Sequence, residues 1–144
     1  MKRTLSFVMA LALVMTCLFA FASCGEKIQG VYTDANGSVW TFSGNTLEIE
    51  GTFEINKVKH TVVAVYKADL KVADGKETLT LVIKKYRYDG DNETAKEVVD
   101  QANVKLGTDS KTEKTSEYTV KQEDAGKKIT LTKSSVSTVL TLKQ

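Results

Sequence analysis

The chain has 144 residues, with 20 basic and 18 acidic side chains and a formal net charge of +2. This near balance excludes a bulk electrostatic attraction for nucleic acid or for an anionic lipid surface. The two cysteines, Cys17 and Cys24, both lie near the start, so the rest of the chain cannot close a disulfide and must fold by core packing.

The first residues are organised like an export signal. Lys2 and Arg3 give a positive start, and an uncharged apolar run follows from Leu5 to Phe21. This run is longer than the ~7–15 residues usual for a signal peptide and close to the ~17–25 residues of a membrane span, so a permanent anchoring helix is the alternative. The small residues that follow favour a cleavable signal peptide over residues 1–23.

Ala22, Ser23 and Cys24 resemble the lipobox of bacterial lipoproteins, in which small residues precede a cysteine. The resemblance implies that Cys24 receives a diacylglycerol, becomes the first mature residue and begins a lipidated tether over residues 24–29. Acyl chains contribute ~0.8 kcal/mol per buried CH₂, so two or three of them anchor the protein stably. Because Gly25 and not an aspartate follows the cysteine, the resemblance implies the outer membrane or the cell surface.

About 120 residues remain after the leader, which is enough for one domain with a core and too few for two. Polar and apolar residues alternate there, as in strands with one buried face. Residues 30–35 and 38–43 are predicted to form a hairpin, because Asn36-Gly37 suits a tight primed turn. A turn at residues 43–45 leads into the next strand, which is predicted to bulge or bend at Gly51.

Two longer strands are predicted in the middle of the chain. Residues 61–72 form a half-buried strand, and Asp74-Gly75 is a turn candidate before residues 77–88. Strict alternation assigns the side chains of this second strand to two faces: Leu79, Leu81 and Ile83 on one, and Val82, Tyr86 and Tyr88 on the other.

Residues 91–106 break the alternation, because their apolar side chains recur at helical spacing and Asn92 can cap a first turn. One short helix is predicted there, followed by a polar loop over residues 107–117. The chain then returns to three strands, over residues 117–122, 127–133 and 135–143. About eight strands result, each next to its neighbour in sequence.

Antiparallel strands joined by short turns have exposed edges unless the sheet closes. The predicted fold class is therefore all-β, an antiparallel up-and-down barrel of about eight strands with one short helix. Residues 30–49 resemble the opening of the small lipocalin-like domains of bacterial lipoproteins, and residues 117–132 are similar to their closing hairpin. The resemblance implies a lipocalin-like or calycin-like barrel over residues 30–144 that holds a ligand or a partner.

The sequence offers aromatic candidates for the lining of a cavity. A barrel of eight strands can be packed solid or can hold one small ligand. Aromatic residues on the dry face of a strand are ordinarily core, and lining a cavity is the alternative. The candidates are Trp40, Phe42, Phe53 and Tyr66.

Motifs for metal and nucleic acid are weak. His60 is the single histidine and has no second ligand beside it in sequence, so it is interpreted as a surface turn residue. The acids of residues 89–100 copy several positions of a calcium loop, but Thr94 stands where that loop needs glycine. Residues 84–88 interleave bases and aromatics as single-strand binders do, yet the wet face of a strand explains them better.

No catalytic motif is present, because no GxSxG, HExxH, P-loop or GxGxxG pattern occurs in the chain. We therefore predict no catalytic residues, no metal, no cofactor, no nucleic-acid partner and no enzymatic activity. Two hypotheses remain. The first is a lipid-anchored binding module that holds a small apolar ligand in or at the mouth of the barrel. The second is a structural or protein-interaction lipoprotein of the cell envelope with no small-molecule pocket.

Overall fold

The structure is a computed structural model that describes residues 28–144. The predicted signal peptide, Cys24 and the first residues of the tether lie outside these residues. Within the described part, none of the helices combines the length and the apolar character that crossing a bilayer requires.

The described residues form a closed barrel of eight antiparallel strands, each paired with its neighbour in sequence. The strands are β1 (Gly30–Thr33), β2 (Val39–Ser43), β3 (Thr46–Ile55), β4 (Val58–Ala73), β5 (Lys76–Arg87), β6 (Thr115–Glu123), β7 (Lys128–Lys133) and β8 (Val136–Leu142). Closure comes from β1 and β8, where Tyr32 pairs with Leu142 and Thr33 with Thr141. The prediction of an all-β, up-and-down barrel is confirmed.

The helical part lies between β5 and β6. Helix α1 (Glu93–Thr108) begins as predicted after Asn92, whose side chain accepts a hydrogen bond from the Ala95 N–H at 2.9 Å. A second, one-turn helix, α2 (Lys111–Lys114), lies within the stretch predicted to be a loop. It was missed because four residues are too few to show a period.

Two local predictions about turns and bulges are wrong. Asn36-Gly37 is not a two-residue turn: Asp34 organises a longer loop by accepting hydrogen bonds from the Asn36 and Ser38 N–H groups. Nor does Gly51 interrupt β3, which stays in register with β4 through Gly51 and Val62. A buried face fixes register more strongly than a single glycine perturbs it.

The register shift occurs instead between β4 and β5, at the Val65/Tyr66 step. Tyr66 pairs with Ile83 and Ala64 pairs with Tyr86, so β5 has one extra residue between these pairs. Directly paired residues share a face, so Ile83 and Tyr86 lie on the same face. The predicted opposite placement of Tyr86 is wrong because strict alternation cannot anticipate an extra residue.

The barrel has two distinct ends. The Ile28 end holds residue 28 and the β2–β3, β4–β5 and β6–β7 turns; the helix end holds the β1–β2, β3–β4 and β7–β8 connections and both helices. Six aliphatic side chains are almost completely buried, and most belong to the strand segments nearest the Ile28 end: Leu47, Leu79, Leu81, Ile129, Leu131 and Leu140. The core is therefore concentrated toward that end.

Helix α1 replaces a missing strand on β5. The pairing of β5 with β6 stops at Val82 and Thr115, which leaves the last residues of β5 without that neighbour. The Asn103 side chain accepts a hydrogen bond from the Tyr86 N–H at 2.7 Å and donates one to the Tyr86 carbonyl at 2.9 Å. The side-chain amide of Asn103 thus satisfies the backbone N–H and carbonyl of one β5 residue, as a neighbouring strand would.

Candidate functional site

The four aromatic candidates do not lie together. Trp40 and Phe42 are buried members of the core, and Tyr66 packs against it. Phe53 lies elsewhere, on the part of the β3–β4 hairpin that reaches past β5 at the helix end. Three candidates therefore share the interior, and the fourth belongs to a different surface.

The interior at the Ile28 end leaves little room. A cleft lined by Ile28, Phe42, Ala68, Leu70 and Leu79, among others, has a volume of about 40 Å³. One water occupies on the order of 10–15 Å³ by this kind of measure, and small-molecule sites are typically ~300–1,000 Å³. An apolar ligand would have to repack the core to enter here.

Residues assigned to the tether help to close this end. Ile28 is only 5% exposed and belongs to the core cluster. The Gln29 side-chain oxygen accepts a hydrogen bond from the Gly44 N–H at 3.2 Å, and the Tyr32 hydroxyl donates one to the Gly126 carbonyl at 2.8 Å. The core thus includes Ile28, two residues before the predicted start of the barrel.

Toward the helix end the interior is lined by tyrosine. Tyr66 is partly buried against the core, and burial raises the pKa of its hydroxyl. Tyr86 and Tyr118 raise the same pKa further, so the three phenols lie close enough to interact electrostatically. This is the more polar part of the interior.

An open groove lies at the helix end, beside the β3–β4 hairpin. We call it the β4 groove; its volume is about 470 Å³. It is lined by Glu50, Lys59, His60, Thr61, Val63, Arg87, Tyr88, Asp89 and Gly90. It therefore combines charged, aromatic and apolar side chains on the outside of the barrel.

Two rings, those of His60 and Tyr88, line the β4 groove, and the ring of Phe53 packs against them. The His60 Nδ1 atom lies 3.2 Å from the Tyr88 hydroxyl oxygen, and the ring centroids of Phe53 and His60 are 5.6 Å apart. Gly90 leaves room for Tyr88 in this position, because a Cβ atom at residue 90 would overlap the Tyr88 hydroxyl. The interpretation of His60 as a turn residue is wrong: it is the third residue of β4, three residues after the Asn56-Lys57 turn.

Charged pairs define the other side of this groove. The Arg87 guanidinium donates hydrogen bonds to Glu48 at 2.9 Å and to Asp89 at 3.1 Å. The hydrogen bonds that Arg87 donates to Glu48, and then the one to Asp89, raise the pKa of Arg87, which keeps it cationic. Because both pairs are well exposed, they orient the side chain more than they stabilise the fold.

The backbone of β4 is open along the groove. Pairing of β4 with β5 ends at Val63 and Arg87, whereas β4 itself begins at Val58. Backbone groups alternate sides along a strand, and the Ala68 N–H, which bonds to the Asn45 carbonyl, points toward β3. By that alternation the backbone groups of Lys59 and Thr61 point the other way, past the end of β5.

The remaining sequence motifs are dispersed in the described residues. Asp89 pairs with Arg87, and the acids of the calcium-like stretch from residue 93 onward lie on α1. Across residues 28–144 no three His, Cys, Asp or Glu side chains gather closely enough to hold a metal ion. Lys84 and Lys85 lie exposed near the end of β5.

Sequence reasoning missed the β4 groove because two of its causes are invisible in the residue pattern. The Asn56-Lys57 turn, with φ values of 52° and 66°, contains no glycine and gave no turn signal. The unequal reach of β4 and β5 depends on where pairing stops. Comparison of this chain with protein-family models, with curated proteins and with solved structures found no match.

Proposed function

We propose that this protein is a lipid-anchored, exported binding module that takes an extended segment of a partner protein into the β4 groove. The proposal rests on a difference in volume. The open groove outside the barrel has about 470 Å³, whereas the cleft beside Ile28 has about 40 Å³. The barrel fold is consistent with a binding module.

The β4 groove suits an extended peptide because it offers backbone partners and side-chain sites together. An unpaired strand edge adds a further strand through main-chain hydrogen bonds, and alternate side chains of the added strand enter flanking sites. Here the open edge at Lys59 and Thr61 lies between the His60 and Tyr88 rings on one face and Glu50 and Arg87 on the other.

Export and anchoring are proposed from the leader. Lys2, Arg3, the apolar run to Phe21 and the small residues before Cys24 support a signal peptide and an acylated cysteine. Two or three acyl chains give stable attachment without a spanning helix. A Cys24→Ser variant is expected to lose radiolabelled palmitate in growing cells, whereas undiminished incorporation would contradict the anchor.

The groove is tested with one matched pair of variants at Thr61. Thr61→Pro removes the N–H that points into the groove, and Thr61→Ala keeps it. From a displayed library of random ten-residue peptides, the wild-type protein should select binders whose affinity falls at least about tenfold with Thr61→Pro, the loss of about 1.4 kcal/mol. Thr61→Ala should change the affinity less than about threefold.

Two results would contradict this site. One is the recovery of no peptide above the background of a Thr61→Pro control selection; the other is equal binding by both Thr61 variants. Circular dichroism of each variant must first show the wild-type strand signal, so that loss of binding is not loss of fold.

A small ligand at the helix-end mouth is the second candidate, because Tyr66 and Tyr118, which pack against the core, add hydroxyl groups to the aromatic part of the interior. This candidate and the peptide groove are separated by native mass spectrometry of protein purified from its own cells. A stoichiometric small molecule that is lost with Tyr66→Ala, and kept with Thr61→Pro, would establish the mouth as the site.

A further inference from the structure

A second open groove lies at the helix end, between β5 and the last turn of α1. We call it the lysine groove, because Lys84, Lys85 and Lys114 line it; its volume is about 260 Å³. It has no lining residue in common with the β4 groove. The two grooves are therefore separate surfaces that can be tested one at a time.

The extra residue in β5 brings two consecutive lysines into this groove. Val65 pairs with Lys85 and Tyr66 pairs with Ile83, so Lys84 has no partner on β4. Successive side chains of a regular strand point to opposite faces, whereas a bulge re-aims one of them. Lys84 and Lys85 consequently both line the lysine groove.

The third lysine is positioned by α2. Ser110 and Glu113 form a capping box that fixes this one-turn helix, and Lys114 is its last residue. The next residue, Thr115, pairs with Val82 of β5. Lys114 therefore lies where β6 separates from β5, and it is half-buried there.

The protein does not balance the positive charge of the lysine groove. Among residues 28–144, no acidic side chain lines it, and the ion pairs involve none of its three lysines. The same residues carry equal numbers of basic and acidic side chains in total, so the excess of positive charge is local. Ammonium groups around one groove repel each other, and an anion bound among them removes that repulsion.

We infer that the lysine groove binds the phosphate group of a small phosphate monoester. Such a group carries a charge of about −1.5 to −2 at pH 7, so it matches several cations better than a carboxylate does. Val82, Ile83 and Leu106 give the groove an aliphatic side that suits the organic part of an ester. The volume lies just below the ~300–1,000 Å³ of typical small-molecule sites, which favours a small ligand.

The phosphate can belong to a soluble ester or to the headgroup of a lipid, because both offer the same chemistry to the three lysines. The inference requires neither the peptide site in the β4 groove nor the lipid anchor. Its test therefore leaves the proposed function untouched, and a failure of either does not imply a failure of the other.

Phenyl phosphate is the probe, since it joins a phosphate monoester to one apolar ring. NMR of the isotope-labelled protein at low ionic strength, where charges are least screened, should show saturable shifts of the Lys84, Lys85 and Lys114 amides. Benzyl alcohol has the ring without the charge and should cause no saturable shift at these amides. This comparison uses the wild-type protein and needs no variant.

A matched set of variants tests the lysines themselves. Lys84→Gln combined with Lys114→Gln should weaken the binding of phenyl phosphate at least about tenfold. Lys76→Gln is the control, because Lys76 is exposed at the opposite end of the same strand, and the affinity should change less than about twofold. The amide spectrum of each variant shows whether the fold is kept.

Vesicles of phosphatidylcholine, with and without phosphatidic acid, distinguish the two sources of phosphate. Sedimentation with the phosphatidic acid vesicles that is lost in the double variant supports the inference with a lipid headgroup as ligand. Saturable binding of phenyl phosphate without sedimentation supports it with a soluble ester. Shifts that do not saturate, equal saturable shifts with benzyl alcohol, or unchanged affinity in the double variant would each overturn it.

Discussion

The two ends of the barrel differ in what their side chains do. At the Ile28 end, aliphatic residues are almost completely buried and the Tyr32 hydroxyl bonds to the Gly126 carbonyl. At the helix end, Phe53, His60 and Tyr88 form a half-exposed cluster above a groove. One end has the packing that stabilises a fold, and the other has accessible backbone and mixed chemistry, which suit recognition.

The difference arises from strand length. Where all neighbouring strands are present, the side chains of the inner face meet across the barrel and exclude water. Where β3 and β4 run past β5, Phe53 and His60 pack against Tyr88 and no further strand lies beside them, so these rings stay partly exposed. Unequal strands thus leave an open groove and partly exposed rings at one end of a closed barrel.

Truncating one side chain at each end gives the largest expected effect. Leu47→Ala, at the Ile28 end, should lower the free energy of unfolding by about 2–5 kcal/mol, because a fully buried leucine leaves a cavity. Phe53→Ala should cost about 1 kcal/mol, since its ring is already partly exposed. Urea unfolding followed by tryptophan fluorescence measures both, and equal losses would remove the distinction between the ends.

The bridge between α1 and β5 is expected to matter next most. Asn103→Ala leaves the N–H and carbonyl of Tyr86 without their partner, so we expect a loss of about 1–3 kcal/mol. Val104→Ala is the control on the same helix, because that side chain is 71% exposed and should change stability by less than about 0.5 kcal/mol. Similar values for the two variants would show that the amide does not support β5.

Removing a single hydroxyl compares the ends more finely. Tyr32→Phe should cost about 1 kcal/mol, because the Gly126 carbonyl loses a donor in a nearly buried site. Tyr88→Phe should cost less, since water can replace the bond to His60 at a partly exposed position. A larger loss from Tyr88→Phe, in the same urea measurement, would reverse the assignment of the two ends.

The smallest expected effect depends on pH. The Glu113 carboxylate accepts a hydrogen bond from the backbone N–H of Ser110, with 2.6 Å between oxygen and nitrogen. This hydrogen bond is the main cause of a lowered pKa at Glu113, and a hydrogen bond with the Ser110 hydroxyl is the second cause. A lowered pKa in the folded state stabilises the protein above the ordinary pKa of glutamate, and this contribution disappears as the pH falls through the folded value. Below about pH 4.5, the melting temperature of Glu113→Gln should fall slightly less with decreasing pH than that of the wild-type protein. An equal fall in both proteins would contradict a stabilising role for the Glu113 hydrogen bond to Ser110.

The strands were predictable because each carries a period of two and a buried face, and Asn92 marked the start of α1 because a side-chain cap is a local interaction. The same reasoning failed at β5, where an extra residue beside Tyr66 returns Tyr86 to the face of Ile83. It also failed for the Asn56-Lys57 and Ser134-Ser135 turns, in which residues other than glycine adopt positive φ. Strand pairing imposes those conformations, so the identities of the turn residues alone do not predict them.

The site was less predictable than the fold. Trp40 and Phe42 are in the core as dry-face aromatics ordinarily are, but nothing in the sequence brings Phe53, His60 and Tyr88 together. Phe53 and His60 meet because a hairpin pairs them across two strands, and Tyr88 joins them from the position directly after β5.

The sequence by itself determined the all-β class, the order of the strands and the capped helix, because alternation and caps are properties of neighbouring residues. Only the tertiary structure decided where β5 and β6 part, how far β4 runs past its neighbours and which rings meet at the helix end. Those features depend on which backbone groups find partners across the barrel, and that choice is made by distant segments acting together.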